Sequence, residues 1–263
     1  MDMINTDDPP NDLRVLAMRP LIAGNWKMNT LRADASALAA GLVEQRAAID
    51  PGCDILICPP FVSIRSVGEI VLGSPIKLGA QDCHVEVSGA HTGDVSAEML
   101  VDAGCNFVIV GHSERRTNHG EGDKLVGEKA KAAFIQSLSA IICVGESLDE
   151  RNEGKTLAVV EEQVSKSVPA EATAENTIVA YEPVWAIGTG LTPTIEQISE
   201  VHDNIRSLLN SRFKDGEEFR LLYGGSMNPG NAGEILAIKN VNGGLVGGAS
   251  LKVEDFWSIC TSV

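Results

Sequence analysis

Eight short apolar runs recur along the chain, at 21–24, 54–58, 76–79, 107–110, 140–144, 177–180, 219–223 and 244–246. Each is too short for a helix, several are β-branched, and none alternates with polar residues. That pattern predicts strands buried on both faces, as in a parallel sheet. Between the runs the apolar period changes. Ile195, Ile198, Val201, Ile205, Leu208 and Leu209 follow steps of three and four. So do Leu157, Val160, Val164 and Val168, with Glu161 and Glu162 on the opposite face, so both stretches predict helices. Thr194, with Gln197 three residues on, predicts a capping box that opens the helix at 195.

Strands alternating with helices close into a (β/α)8 barrel or stay open as a doubly wound sheet. The length of 263 residues favours the barrel, which typically takes about 250. The first strand runs into Gly24-Asn25-Trp26-Lys27 with no GxGxxG turn, which argues against a dinucleotide-binding sheet. The reading is an α/β chain with one barrel over residues 18–263. Residues 1–17, with Asp2, Asp7, Asp8, Asp12 and Pro9-Pro10, read as a flexible acidic extension.

Composition narrows the function. With 21 Lys plus Arg against 36 Asp plus Glu, the net charge is −15. Nucleic acid and anionic membranes are therefore poor partners, and an anionic substrate needs local positive potential. The six cysteines form no CxxC pair and read as small buried thiols. The N-terminus lacks the apolar segment of a secretory signal, and no apolar run nears the roughly 18 residues of a membrane span. A soluble cytoplasmic protein is expected.

Barrel chemistry sits at the C-terminal ends of the strands. Those ends carry Asn25 and Lys27, then His112, Ser113 and Glu114, then Glu182, with Gly224-Gly225-Ser226 and Gly247-Gly248 after the last two strands. Taken singly, Lys27 reads as a solvated loop lysine and His112 as a structural histidine. Glu182 before Pro183 reads as a strand end, and 113–116 as an N-cap with a surface charge run. His112 and Glu114 lack a third metal ligand, and His84, His91, His119 and His202 show no metal spacing. Together, a carboxylate, an imidazole and a lysine on one rim suit proton abstraction beside a carbonyl. Glycine-rich turns opposite them suit a phosphate cradled by backbone amides.

Five motifs then stand in order: Ala23-Gly24-Asn25-Trp26-Lys27-Met28-Asn29, Val110-Gly111-His112-Ser113-Glu114-Arg115-Arg116, Ala180-Tyr181-Glu182-Pro183-Val184-Trp185-Ala186-Ile187-Gly188-Thr189-Gly190, Tyr223-Gly224-Gly225-Ser226 and Leu245-Val246-Gly247-Gly248-Ala249-Ser250-Leu251. From Arg19 to Val263 the chain resembles the triosephosphate isomerase family. The resemblance implies a single (β/α)8 TIM barrel that interconverts glycerone phosphate and D-glyceraldehyde 3-phosphate as a homodimer, without cofactor or metal. It implies Glu182 as the base and His112, held neutral by a helix N-terminus, as the electrophile. Lys27 and Asn25 would assist at the oxygens, with Glu114 a buried organising partner and Ser113 a local partner of the base. The amides of Gly188, Ser226, Gly247 and Gly248 would hold the phosphate. Pro183, Val184, Trp185, Ala186, Ile187, Gly188, Thr189 and Gly190 would form a lid with hinges at both ends.

The loop Gly89-Ala90-His91-Thr92-Gly93-Asp94-Val95-Ser96 matches the family's dimer loop, which implies that Thr92 reaches Asn25 of the partner. The chain departs from the commonest pattern at His91, His119, Asp82, Asn242 and Gly244. The histidines lead us to expect dimer affinity to weaken below roughly pH 6.5. An isomerase of a four-carbon phosphosugar and a barrel that only binds a phosphate ligand are the alternatives.

Overall fold

The computed structural model describes residues 18–187 and 191–263. Residues 1–17 and the lid positions Gly188, Thr189 and Gly190 lie outside the described residues. Eight parallel strands close into a barrel in chain order. They are β1 (Leu21–Asn25), β2 (Asp54–Cys58), β3 (Lys77–Ala80), β4 (Phe107–Val110), β5 (Ser139–Val144), β6 (Thr177–Tyr181), β7 (Arg220–Tyr223) and β8 (Gly243–Val246). β1 closes the ring against β8, from Leu21 opposite Gly243 to Gly24 opposite Val246.

The unbroken apolar runs follow from two cores. Leu21, Ala23, Leu56, Ile109, Ile141, Ile178, Leu222 and Leu245 fill the barrel interior with their neighbours. The alternate positions, Ile22, Ile55, Val108, Ile142, Val179 and Leu221, point outward into the layer between barrel and helices. A strand with a core on each face has no polar positions to alternate with. The helix Ile195–Arg212 opens on the Thr194 capping box, and Ile198, Val201, Ile205 and Leu209 form its buried stripe. Among the described residues no helix is long and apolar enough to cross a membrane. All six cysteines are buried and free.

Two departures from the family pattern have visible packing consequences. At Gly244 a Cβ would come 2.8 Å from Met227 Sδ, so the methionine fills the space of a larger residue. Asn242 Oδ1 accepts from the Arg206 guanidinium at 2.9 Å and from the Leu221 amide at 3.0 Å. The buried arginine is thus met there by an amide rather than a carboxylate.

Candidate active site

The first strand delivers its residues through a strained turn. Lys27 has φ 51°, in the left-handed region that costs an L-residue energy. Neighbours enforce it: the Asn25 side chain accepts the Lys27 amide at 3.0 Å, and Gln81 donates to the Lys27 carbonyl at 2.9 Å. The lysine ammonium lies 2.7 Å from Glu114 Oε1. A Cβ on Gly247 would lie 3.4 Å from Lys27 Cε, so the β8 turn and this lysine share one wall.

His112 is the N-cap of the helix Ser113–His119, and its Nδ1 accepts the Glu114 amide. That bond, 3.2 Å long, needs a lone pair on Nδ1. The ring proton then sits on Nε2, which lies 2.9 Å from Glu182 Oε1. The other Glu182 oxygen accepts the Ser113 amide at 2.9 Å. The side chain has room because the β7 turn lacks one: a Cβ on Gly224 would come within 2.8 Å of Glu182 Cγ.

Both members of the pair are buried. Burial alone raises the Glu182 pKa, but His112, the Ser113 amide and Lys27 outweigh it and hold the carboxyl below its usual range. Burial works against protonation of His112, yet the neighbouring Glu182 carboxylate turns the net shift upward.

Asn25, Lys27, His112, Glu182, Ser226, Gly247 and Gly248 all line one cleft of about 640 Å³ at the strand ends. That size suits a small-molecule ligand. Glu114 departs from the buried role that the resemblance implied. Its side chain is 48% exposed. It follows the inward-facing cap by two residues, and that rotation along the helix turns it outward. The run at 113–116 is no solvated charge strip either. Arg115 pairs with Asp82 and Glu121, while Arg116 holds Asp123 and the Gly111 and Cys143 carbonyls.

Of the lid, Pro183 to Ile187 are described, with a tight turn at Val184–Ala186. Its stem is anchored by Glu146, a residue that sequence reasoning missed. Glu146 is fully buried and accepts from Trp185 Nε1 at 2.9 Å, from Arg151 at 3.0 Å and from the Tyr181 hydroxyl at 3.1 Å. The Glu146 carbonyl also takes the Val184 amide. The preceding residue, Gly145, backs onto the base: a Cβ there would lie 1.7 Å from the Glu182 carbonyl oxygen. The Gln163 side chain clasps the Gly145 backbone, accepting from its amide and donating to its carbonyl.

His91 and Thr92 stand on an exposed loop, as does Asp94. Sequence spacing missed that the loop brings His84, His91 and Asp94 together, with their ligand-type atoms within 4.8 Å of one another. His84 Nδ1 already accepts the Glu86 amide, leaving the proton on Nε2, the nitrogen that faces Asp94. His119 is exposed at the far end of the helix from His112.

A family model described as triosephosphate isomerase matches residues 20–263. The chain belongs to the triosephosphate isomerase family. The triosephosphate isomerase of Afipia carboxidovorans is 57% identical, the alignment covering 92% of this chain and 96% of that protein. That of Bradyrhizobium diazoefficiens is 53% identical over 92% of this chain and 97% of its own. The crystal structure of triosephosphate isomerase from Bartonella henselae superposes with a TM-score of 0.86 at 46% identity, covering 93% of this chain and 98% of that one. The superposition shows that the two chains share the barrel fold.

Proposed function

We propose that this chain isomerises glycerone phosphate and D-glyceraldehyde 3-phosphate with Glu182 as the proton-transferring base. The family's reaction moves one proton between adjacent carbons, oxidising one and reducing the other within the same molecule. The observation that carries the assignment is the buried Glu182–His112 pair at 2.9 Å, set in a cleft that also holds Lys27.

Glu182 is held ionised by two donors on its His112 side. Turning from them toward the cleft brings the carboxylate to the substrate carbon, where it takes a proton and later returns it to the neighbouring carbon. That turn also removes the main cause of the upward shift at His112. Burial, Lys27 and the helix N-terminus then favour the neutral ring, whose Nε2–H donates to the carbonyl oxygen and to the enediolate that forms there. Lys27 and Asn25 stabilise the same developing charge. The amides at Ser226, Gly247 and Gly248, with Gly188 from the lid, hold the phosphate, and lid closure excludes water.

The working unit we propose is a cytoplasmic homodimer. Its support is the exposed loop with Thr92 and His91, flanked by the half-exposed Val87 and Met99, with Met28 95% exposed beside Lys27. Sedimentation at about pH 5.5 and about pH 8 should show weaker association at the lower pH; equal dissociation constants remove the histidines from the interface.

A coupled assay with three-carbon and four-carbon phosphosugars tests the activity. Turnover of the triose phosphate that collapses in Glu182→Gln supports the reading. Preference for the four-carbon sugar, or binding without turnover, overturns it.

A further inference from the structure

The mouth of the cleft carries a cation for which the proton-transfer chemistry has no use. Lys252 stands between the tight turn Gly248–Leu251 and the helix Val253–Cys260 and lines the cleft together with Asp255. Its side chain is 74% exposed, and its ammonium is 3.9 Å from the Asp255 carboxylate. An ion pair that loose between exposed groups adds little to stability. The other lining lysine, Lys27, is already engaged by Glu114 at 2.7 Å.

The charges at this rim matter because the proposed substrate is a phosphate dianion and the chain carries a net −15. Glu182 and Asp255 line the cleft and Glu114 flanks it, so without Lys252 a single lysine would face three carboxylates. A dianion approaching such a mouth would be repelled. We propose that Lys252 is a positioning residue for substrate capture. It cancels the field of Asp255 and draws the phosphate dianion toward the glycine pair Gly247-Gly248 that lines the same cleft. A charge acting through space in this way raises the rate of productive encounter and leaves the proton-transfer step alone.

The inference rests on the phosphosugar reading of the site, and its test separates the two. Lys252→Gln, Lys252→Arg and Asp255→Asn are compared with the wild type on glyceraldehyde 3-phosphate and on phosphate-free glyceraldehyde, over ionic strengths of about 0.02 to 0.3 M. Lys252→Gln should lower kcat/KM for the phosphorylated substrate about five-fold at low salt, with kcat unchanged and the gap closing as salt rises. Lys252→Arg should restore the wild-type value, Asp255→Asn should raise kcat/KM, and turnover of glyceraldehyde should not move. The role is overturned by an unchanged kcat/KM at low salt, by a loss that persists at high salt or appears in kcat, or by an equal loss on glyceraldehyde. Wild-type enzyme with no preference for the phosphorylated substrate overturns the substrate reading, and the role of Lys252 with it.

Discussion

Glu146 and Glu182 follow neighbouring strands and are buried almost equally, at 0% and 2% exposed, yet they occupy opposite kinds of site. Glu146 receives Tyr181, Trp185 and Arg151 and has no face on the cleft. Glu182 receives one donor on each oxygen, both from the β4 end, and its remaining side lines the cleft. A carboxylate surrounded by donors is fixed in place and serves as an anchor. One held from a single side can turn, and burial then works for reactivity instead of against it.

The largest separation should appear in rate. Glu182→Gln should lower kcat by on the order of 10² to 10⁴ in steady-state assays, while Glu146→Gln stays within ten-fold. Losses of equal size would erase the distinction. Next comes stability. Glu146→Leu strands the Arg151, Tyr181 and Trp185 donors and should cost about 3 kcal/mol in denaturant unfolding. Glu182→Leu strands only His112, which lines the open cleft, and the Ser113 amide, and should cost less.

Acidity gives a third contrast. A lowered pKa keeps Glu182 ionised through the usual carboxylate range, and activity limited by it falls only once the pH drops through that lowered value. The acid limb of kcat/KM should therefore report His112, whose pKa in the free enzyme is shifted upward by Glu182, or the second ionisation of the substrate phosphate at about pH 6. Only the latter moves when a phosphonate replaces the phosphate. A limb that stays put belongs to the enzyme. The smallest effect is at the lid stem. Trp185→Phe removes one donor to Glu146 and should cost about 1 kcal/mol there, read as a KM raised a few-fold and less than additive with Glu146→Gln.

All eight strands were readable to within a residue or so, because two cores make each run uniformly apolar. Lys27, His112 and Glu182 were readable because they follow such runs directly. Glu146 was missed although Val144-Gly145-Glu146 ends β5 as Tyr181-Glu182 ends β6. Its partners come from two stretches, Arg151 just after it and Tyr181 and Trp185 at the end of β6 and the start of the lid, and no single motif marks it as an anchor. Lys252 lies beyond the glycine motif, and its meaning depends on Glu182 and on the Lys27–Glu114 pair, charges from distant parts of the chain that only the fold brings to the same cleft. The outward turn of Glu114 depends on helix rotation after an inward-facing cap, which a motif does not encode.

Gly145 gives the contrast between the two glutamates an evolutionary edge. It is bonded to the anchor and packed against the backbone of the base, and even one methyl group would collide at 1.7 Å. No single substitution can be accepted there without shifting the reactive strand end. The ends of β5 and β6 are thus free to diverge only together, and a lineage that lost this glycine would have to rebuild lid stem and proton transfer in the same step.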